Sequence, residues 1–154
     1  VALSLVVLAP ITGAVVPLAE VPDPVFAGQM VGSGAAVEPP AGEMFDVVSP
    51  VAGKVVKLLP HAFVVVESSG RGVLTHVGID TVKLKGEGFK LLIAQGDTID
   101  AGAPVMRVDP AAALAAGYSM VSPVVVLDTK PDTAILVAAG TVAAGEELFS
   151  LDQG

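Results

Sequence analysis

The chain has 154 residues, enough for one domain with a sizeable core; hydrophobic residues make up 53% of it, mainly Ala and Val, and aromatics only 4%. Eight basic residues against 16 acidic ones leave a net charge of −8. That excludes the basic footprint of a nucleic-acid binder and suits either a basic protein partner or simple solubility. The absence of cysteine excludes disulfides, thiolate nucleophiles and thiolate metal sites, which fits a cytoplasmic protein.

The opening VALSLVVLAP is apolar but ends at Pro10 and lacks a basic flank, so it reads as a first strand and not as a signal peptide or membrane span. The start at Val1 leaves a short upstream leader as an expectation. Seventeen glycines and twelve prolines spread through the chain predict many short strands joined by tight turns. Leu8–Val16, Val48–Val56 and the shorter Val121–Val126 each set a small residue and Pro ahead of a β-branched run. Gly96–Val105 and Ala139–Leu148 echo one another as a turn feeding a strand. These echoes predict an all-β fold over residues 1–154. The expected form is an internally duplicated antiparallel β-sandwich or flattened barrel with only short helical turns.

Helix is expected in two places. Val21-Pro22-Asp23-Pro24 leads into a single turn at Val25-Phe26-Ala27, ahead of Met30 and Val31. Asp109 can cap Pro110 through Ala116, with Gly117 closing the helix in the left-handed conformation. Glu38–Glu43 reads as a surface loop.

The only two histidines, His61 and His76, flank a hairpin whose turn lies at Ser68-Ser69-Gly70-Arg71. A turn of two or four residues places both rings on one face, whereas a three-residue turn does not. Three readings of the pair stand side by side. It is structural; or it is half of a zinc site completed by a partner, since Glu67 and Asp80 lack ligand spacing; or one ring is a phosphoryl-accepting nucleophile. For the last, an Nδ1–H bonded to a carbonyl would leave Nε2 free to attack. Asp80 alone reads as a turn acid, and Phe26, Met30, Val31 and Leu74 as core.

His61-Ala62-Phe63 and the run Thr75-His76-Val77-Gly78-Ile79-Asp80-Thr81-Val82-Lys83-Leu84-Lys85-Gly86-Glu87-Gly88-Phe89 carry more than this pattern. Together with Val21–Phe26 and Ser49–Gly53, they resemble the glucose-type enzyme IIA of the bacterial phosphoenolpyruvate:sugar phosphotransferase system, from about Ala9 to Leu151. The resemblance implies that Nε2 of His76 accepts a phosphoryl group from the phosphocarrier HPr. It then passes the group to the IIB cysteine of a sugar permease. His61 would support the group and its transfer, and the Gly78 carbonyl would orient His76. Asp23 and Asp80 would meet basic partner residues, and Val25, Phe26, Met30, Val31, Leu74 and Val82 would form the docking ring. No cofactor is required, although His61 and His76 could share a zinc with a partner. The location implied is cytoplasmic, beside a membrane permease, with regulatory targets as further partners. One departure is visible: Leu58-Leu59-Pro60-His61 lacks the threonine that the family carries two residues before the first histidine.

Two other classes share some of these sequence features. Biotinyl and lipoyl carriers use similar turns but need a lysine at a hairpin tip, a context that Lys54, Lys57 and Lys130 lack. Lysostaphin-type zinc peptidases need more histidines than two. A structural or regulatory binding protein without transfer activity is the remaining alternative.

Overall fold

The computed structural model describes residues 5–151, so Val1–Ser4 of the expected first strand lie outside the described residues. From the N-terminus come β1 (Leu5–Leu8), β2 (Gly13–Val16), a 3-10 turn (Leu18–Glu20), α1 (Pro24–Ala27), β3 (Gly32–Glu38) and β4 (Phe45–Val48). Then follow β5 (Gly53–Leu59), β6 (Ala62–Val66), β7 (Gly72–His76), a second 3-10 turn (Thr81–Leu84), β8 (Phe89–Leu91) and β9 (Thr98–Ile99). The last third holds β10 (Pro104–Val108), α2 (Ala111–Ala116), β11 (Ser122–Leu127), β12 (Ala134–Leu136), β13 (Thr141–Val142) and β14 (Glu147–Leu151). All pairings are antiparallel.

An eight-stranded sheet runs β13-β2-β3-β11-β7-β6-β5-β9, and two three-stranded sheets run β1-β14-β12 and β4-β10-β8. Among the described residues the sheets do not close into a barrel. The duplication expected from the echoes is visible in the register: Val142 pairs with Gly13 as Ile99 pairs with Gly53, and Val15 with Val37 as Val55 with Val65. The two proline turns even exchange backbone bonds, Leu8 N–H to Pro50 O and Val48 N–H to Pro10 O, both 2.9 Å. After each proline comes a glycine, Gly13 or Gly53, at which a Cβ would collide with the neighbouring strand's carbonyl, Glu38 or Val66. That close approach explains why both echoes need glycine there. The third look-alike differs: Pro123 sits inside β11, paired with Ala36, where pairing to β7 has not yet begun. Its missing N–H therefore falls at the end of that ladder.

Strand alternation divides the core in two. Ala35 and Val37, Val73, and Val124 and Val126 point into the main core with Phe63, Met106, Leu148 and Phe149. Their neighbours Ala36, Leu74 and Val125 face the other side, where Leu18, Val21, Phe26, Ile79 and Val121 cover them. This second face carries the histidines.

α1 starts as expected, whereas α2 begins one residue later than expected, with Pro110 in the N-cap position in place of Asp109. Asp23 accepts from the amides of Val25 (2.9 Å) and Phe26 (3.4 Å), capping α1. Asp109 accepts from the Ala111 amide at 3.1 Å, and Gly117 closes α2 in the left-handed region.

Thr75, on the main-core side of β7, is fully buried and its hydroxyl has no partner among the described residues. Thr75→Val keeps the branched shape and removes a stranded polar group. It is expected to raise unfolding stability by about 1 kcal/mol in a urea titration; a loss of that size would show that the hydroxyl is satisfied in solution.

Candidate functional site

His76 ends β7 on the same face as Leu74, two residues earlier, and its ring stacks at 56° on Phe26, 5.4 Å between centroids. Phe26 reaches it because the Asp23 cap and Pro24 start α1 directly over the sheet. The His61 ring meets His76 edge-on at 5.1 Å.

The rings converge as expected, but by a different route. The β6–β7 pairing sets Ala62 opposite His76 and Val66 opposite Gly72, and Glu67 N–H donates to Arg71 O. The turn is therefore Ser68-Ser69-Gly70, three residues with Gly70 at φ 94°, and pleating alone would put His61 and His76 on opposite faces. The Glu67 carboxylate builds this turn by accepting from both Ser69 groups and from the Arg71 amide and Nε. Burial alone would raise the Glu67 pKa, yet these hydrogen bonds hold it below the ordinary range. His61 escapes the pleat because it lies outside the ladder, in the two-residue turn Pro60-His61 that joins β5 to β6. From there its ring swings over the strand end.

The His76 Nδ1–H donates to the Gly78 carbonyl at 2.6 Å, leaving the Nε2 lone pair free. Three successive amides hold the segment that follows. Val77 N–H donates to His61 O (2.7 Å), Gly78 N–H to Ser122 Oγ (3.1 Å) and Ile79 N–H to Ser119 O (2.8 Å). Gly78 has φ 77°, and a side chain there would run into Thr81, so glycine is required. Ser122 and Thr81 are functional-site candidates that sequence reasoning missed. Their hydroxyls are buried at the site; Ser122 meets Gly78 from 44 residues away, which no local pattern marks, whereas Thr81 bonds Val77 only four residues back.

The residues expected on the docking ring divide by exposure. Val25, Met30 (75% exposed) and Val82 (57%) present apolar surface, and Val31 and Leu74 are partly buried. Phe26 is a correction: at 7% exposure it is core, and it acts by packing on His76. Met30 corrects the core reading in the other direction. Asp23 is partly buried at its cap, while Asp80 is exposed in the left-handed region, 3.9 Å from Lys83. The position two before His61 is Leu59, with no hydroxyl to offer, and no hydrogen bond to the His61 ring is made among the described residues. Likewise, no three His, Cys, Asp or Glu among the described residues come together as a metal site, so the pair supplies at most two ligands.

Burial lowers the pKa of His76, against the opposing pull of the Gly78 carbonyl, Asp23 and Asp80; burial and the neighbouring His76 lower that of His61.

The comparisons with known proteins agree with this geometry. The family model described as "phosphoenolpyruvate-dependent sugar phosphotransferase system, EIIA 1" matches residues 5–131. The chain is 39% identical over 139 residues to the glucose-specific EIIA component of Bacillus cereus, covering 89% of this chain and 82% of that one. It is 42% identical over 142 residues to the N-acetylglucosamine-specific EIICBA component of Klebsiella pneumoniae, covering 90% of this chain but only 21% of that longer protein. Among solved structures, the glucose permease IIA of Mycoplasma capricolum superposes with a TM-score of 0.86 at 35% identity, over 96% of both chains.

Because both folded histidines titrate below 6.5, the folded state binds fewer protons than the unfolded chain just under that pH. Their contribution to stability is thus complete above 6.5 and is lost as pH falls through the lowered folded values. An NMR titration of the ring protons is expected to place both midpoints below 6.5. Asp23→Asn, which can still cap α1, should move His76 further down; an upward move would mean that Asp23 does not act on the ring through its charge.

Proposed function

This chain belongs to the EIIA 1 family of the phosphoenolpyruvate-dependent sugar phosphotransferase system, and on that premise we propose that His76 is its phosphoryl acceptor and His61 its assistant. Family membership makes the chain a phosphocarrier component of sugar uptake. The observation that supports the assignment to His76 is the 2.6 Å bond from its Nδ1–H to Gly78 O. It leaves the neutral ring with its nucleophilic pair on Nε2, and burial, by lowering the His76 pKa, favours that neutral form.

In the accepting step, Nε2 attacks the phosphorus of a phosphohistidine on HPr. The donor's N–P bond breaks, with its electron pair left on the donor nitrogen, while the Nδ1–H stays on Gly78 O. In the onward step, the thiolate of a IIB cysteine attacks the same phosphorus and the Nε2–P bond breaks. His61, with its ring centroid 5.1 Å away, supports the phosphoryl oxygens during this exchange. Val25, Met30 and Val82 would meet the apolar part of both partners, and Asp23 and Asp80 their basic residues, with the −8 net charge steering the encounter. The same face would serve any regulatory target. The place of action is the cytoplasmic side of the membrane, beside the permease; no helix among the described residues is long and apolar enough to cross it. A zinc ion shared with a partner would take His61 and His76 as ligands and the rest from that partner, and transfer does not need it. A swinging-arm carrier is not favoured, since Lys54 and Lys57 lie within β5 and not at a hairpin tip.

Incubation with phosphoenolpyruvate, enzyme I and HPr is expected to add one acid-labile, base-stable phosphate by mass. His76→Gln should abolish labelling. His61→Gln should accept the group but pass it to IIB poorly, so equal loss of labelling in both variants would refute the division of roles.

A further inference from the structure

We propose that Ser122 and Thr81 are positioning residues, whose buried hydroxyls clamp the Val77–Gly78 peptide from both ends and so keep the proton of His76 on Nδ1. That peptide offers two polar groups. Its N–H, on Gly78, donates to Ser122 Oγ at 3.1 Å, and its carbonyl, on Val77, accepts from Thr81 Oγ1 at 2.6 Å. Ser122 is itself fixed, because its own O–H donates to Met120 O at 2.9 Å and leaves a lone pair for Gly78. Both side chains are fully buried.

The next peptide, Gly78–Ile79, carries the carbonyl that receives the His76 Nδ1–H, and its own N–H is tied to Ser119 O. The two peptide planes are joined only through the Gly78 Cα, where φ is 77°. Glycine is the residue whose backbone resists rotation least. Nothing intrinsic to Gly78 therefore holds its carbonyl towards the imidazole; the fixed planes on either side do. The second plane has a backbone anchor, whereas the first depends at both ends on side-chain hydroxyls that substitution can remove. With Ser122→Ala the Gly78 N–H is left buried and unpaired, and the peptide gains by rotating to find another acceptor. Rotation carries Gly78 O off the ring, and the Nε2–H tautomer, which lacks the nucleophilic pair at Nε2, becomes populated.

The inference deepens the acceptor role of His76 and rests on it for its effect on transfer, but its tautomer readout stands apart from transfer. In a long-range proton–nitrogen correlation spectrum of nitrogen-15-labelled protein near pH 7, with His76 assigned by His76→Gln, the unaltered chain should show a pyrrole-type Nδ1 and a pyridine-type Nε2. Ser122→Thr and Thr81→Ser, which keep the hydroxyls, should match it. Ser122→Ala and Thr81→Val should move both nitrogens towards averaged values and slow labelling by phospho-HPr roughly ten-fold. If Ser122→Ala does not fold, the near-isosteric Thr81→Val decides. A folded Ala or Val variant that keeps the pure Nδ1–H tautomer overturns the proposal. An unaltered chain that HPr does not label, in which the variants still shift the tautomer, overturns the phosphocarrier reading of His76 and upholds the clamp.

Discussion

The bond from His76 Nδ1–H to Gly78 O, 2.6 Å long, is the constraint on which the site depends. An imidazole with a free tautomer divides its proton between two nitrogens, and only one arrangement leaves Nε2 nucleophilic. Fixing it requires a carbonyl held where the ring can reach it, and the chain does this with a glycine in the left-handed region between two anchored peptides. Phe26 adds the second restraint by packing against the His76 ring, 5.4 Å between centroids, and the Asp23 cap puts Phe26 there. The same carboxylate thus starts a helix turn and acts electrostatically on His76.

The duplicated scaffold carries this apparatus in one half only. The register that pairs Val37 with Ser122 pairs Val65 with Val73, so the counterpart of His76 is Val125. Val125 is fully buried in the smaller cluster with Phe26 and Ile79. One copy of the position therefore supplies packing under α1, while the other ends its strand beside a turn and keeps a polar ring partly accessible. The architecture is symmetric; the chemistry lies in the turns that break the symmetry.

Much of this was legible from the chain. The proline turns with their glycines, the Asp23 cap and the histidine-bearing run each rest on local rules or a specific motif, and each stands where it was expected. The hairpin register was not read correctly, because Ser68-Ser69-Gly70-Arg71 can close as an even or an odd turn. What selects the odd one is Gly70 at positive φ together with the Glu67 carboxylate gathering the Ser69 and Arg71 amides. A Ser-Gly step before Arg71 was the available signal for a turn with a glycine bulge. Ser122 had no such signal, since a hydroxyl at a strand start ordinarily serves its own neighbourhood; Thr81 does serve its own, and only the fold shows that the Val77 carbonyl it binds belongs to the site. Phe26 and Met30, both apolar and four residues apart in the sequence, separate only when α1 is laid on the sheet: one turns in, the other out.

A carrier must release what it accepts, and the distribution of cations fits that demand. The chain has two arginines, the side chains best suited to grip a phosphoryl group with paired hydrogen bonds. Arg71 is bound to Glu67 in the β6–β7 turn, at the far end of the strands from the histidines, and Arg107 to Asp46 at 2.9 Å. Lys83, at the margin of the site, is bridged to Asp80. The groups seen to act on the His76 ring are His61, Phe26, the Gly78 carbonyl and the carboxylates of Asp23 and Asp80, a set that orients a nucleophile and includes no arginine. On the proposed role of His76, positive charge for a phosphoryl group would have to arrive with the partner, and the group would be stabilised most while two proteins are in contact.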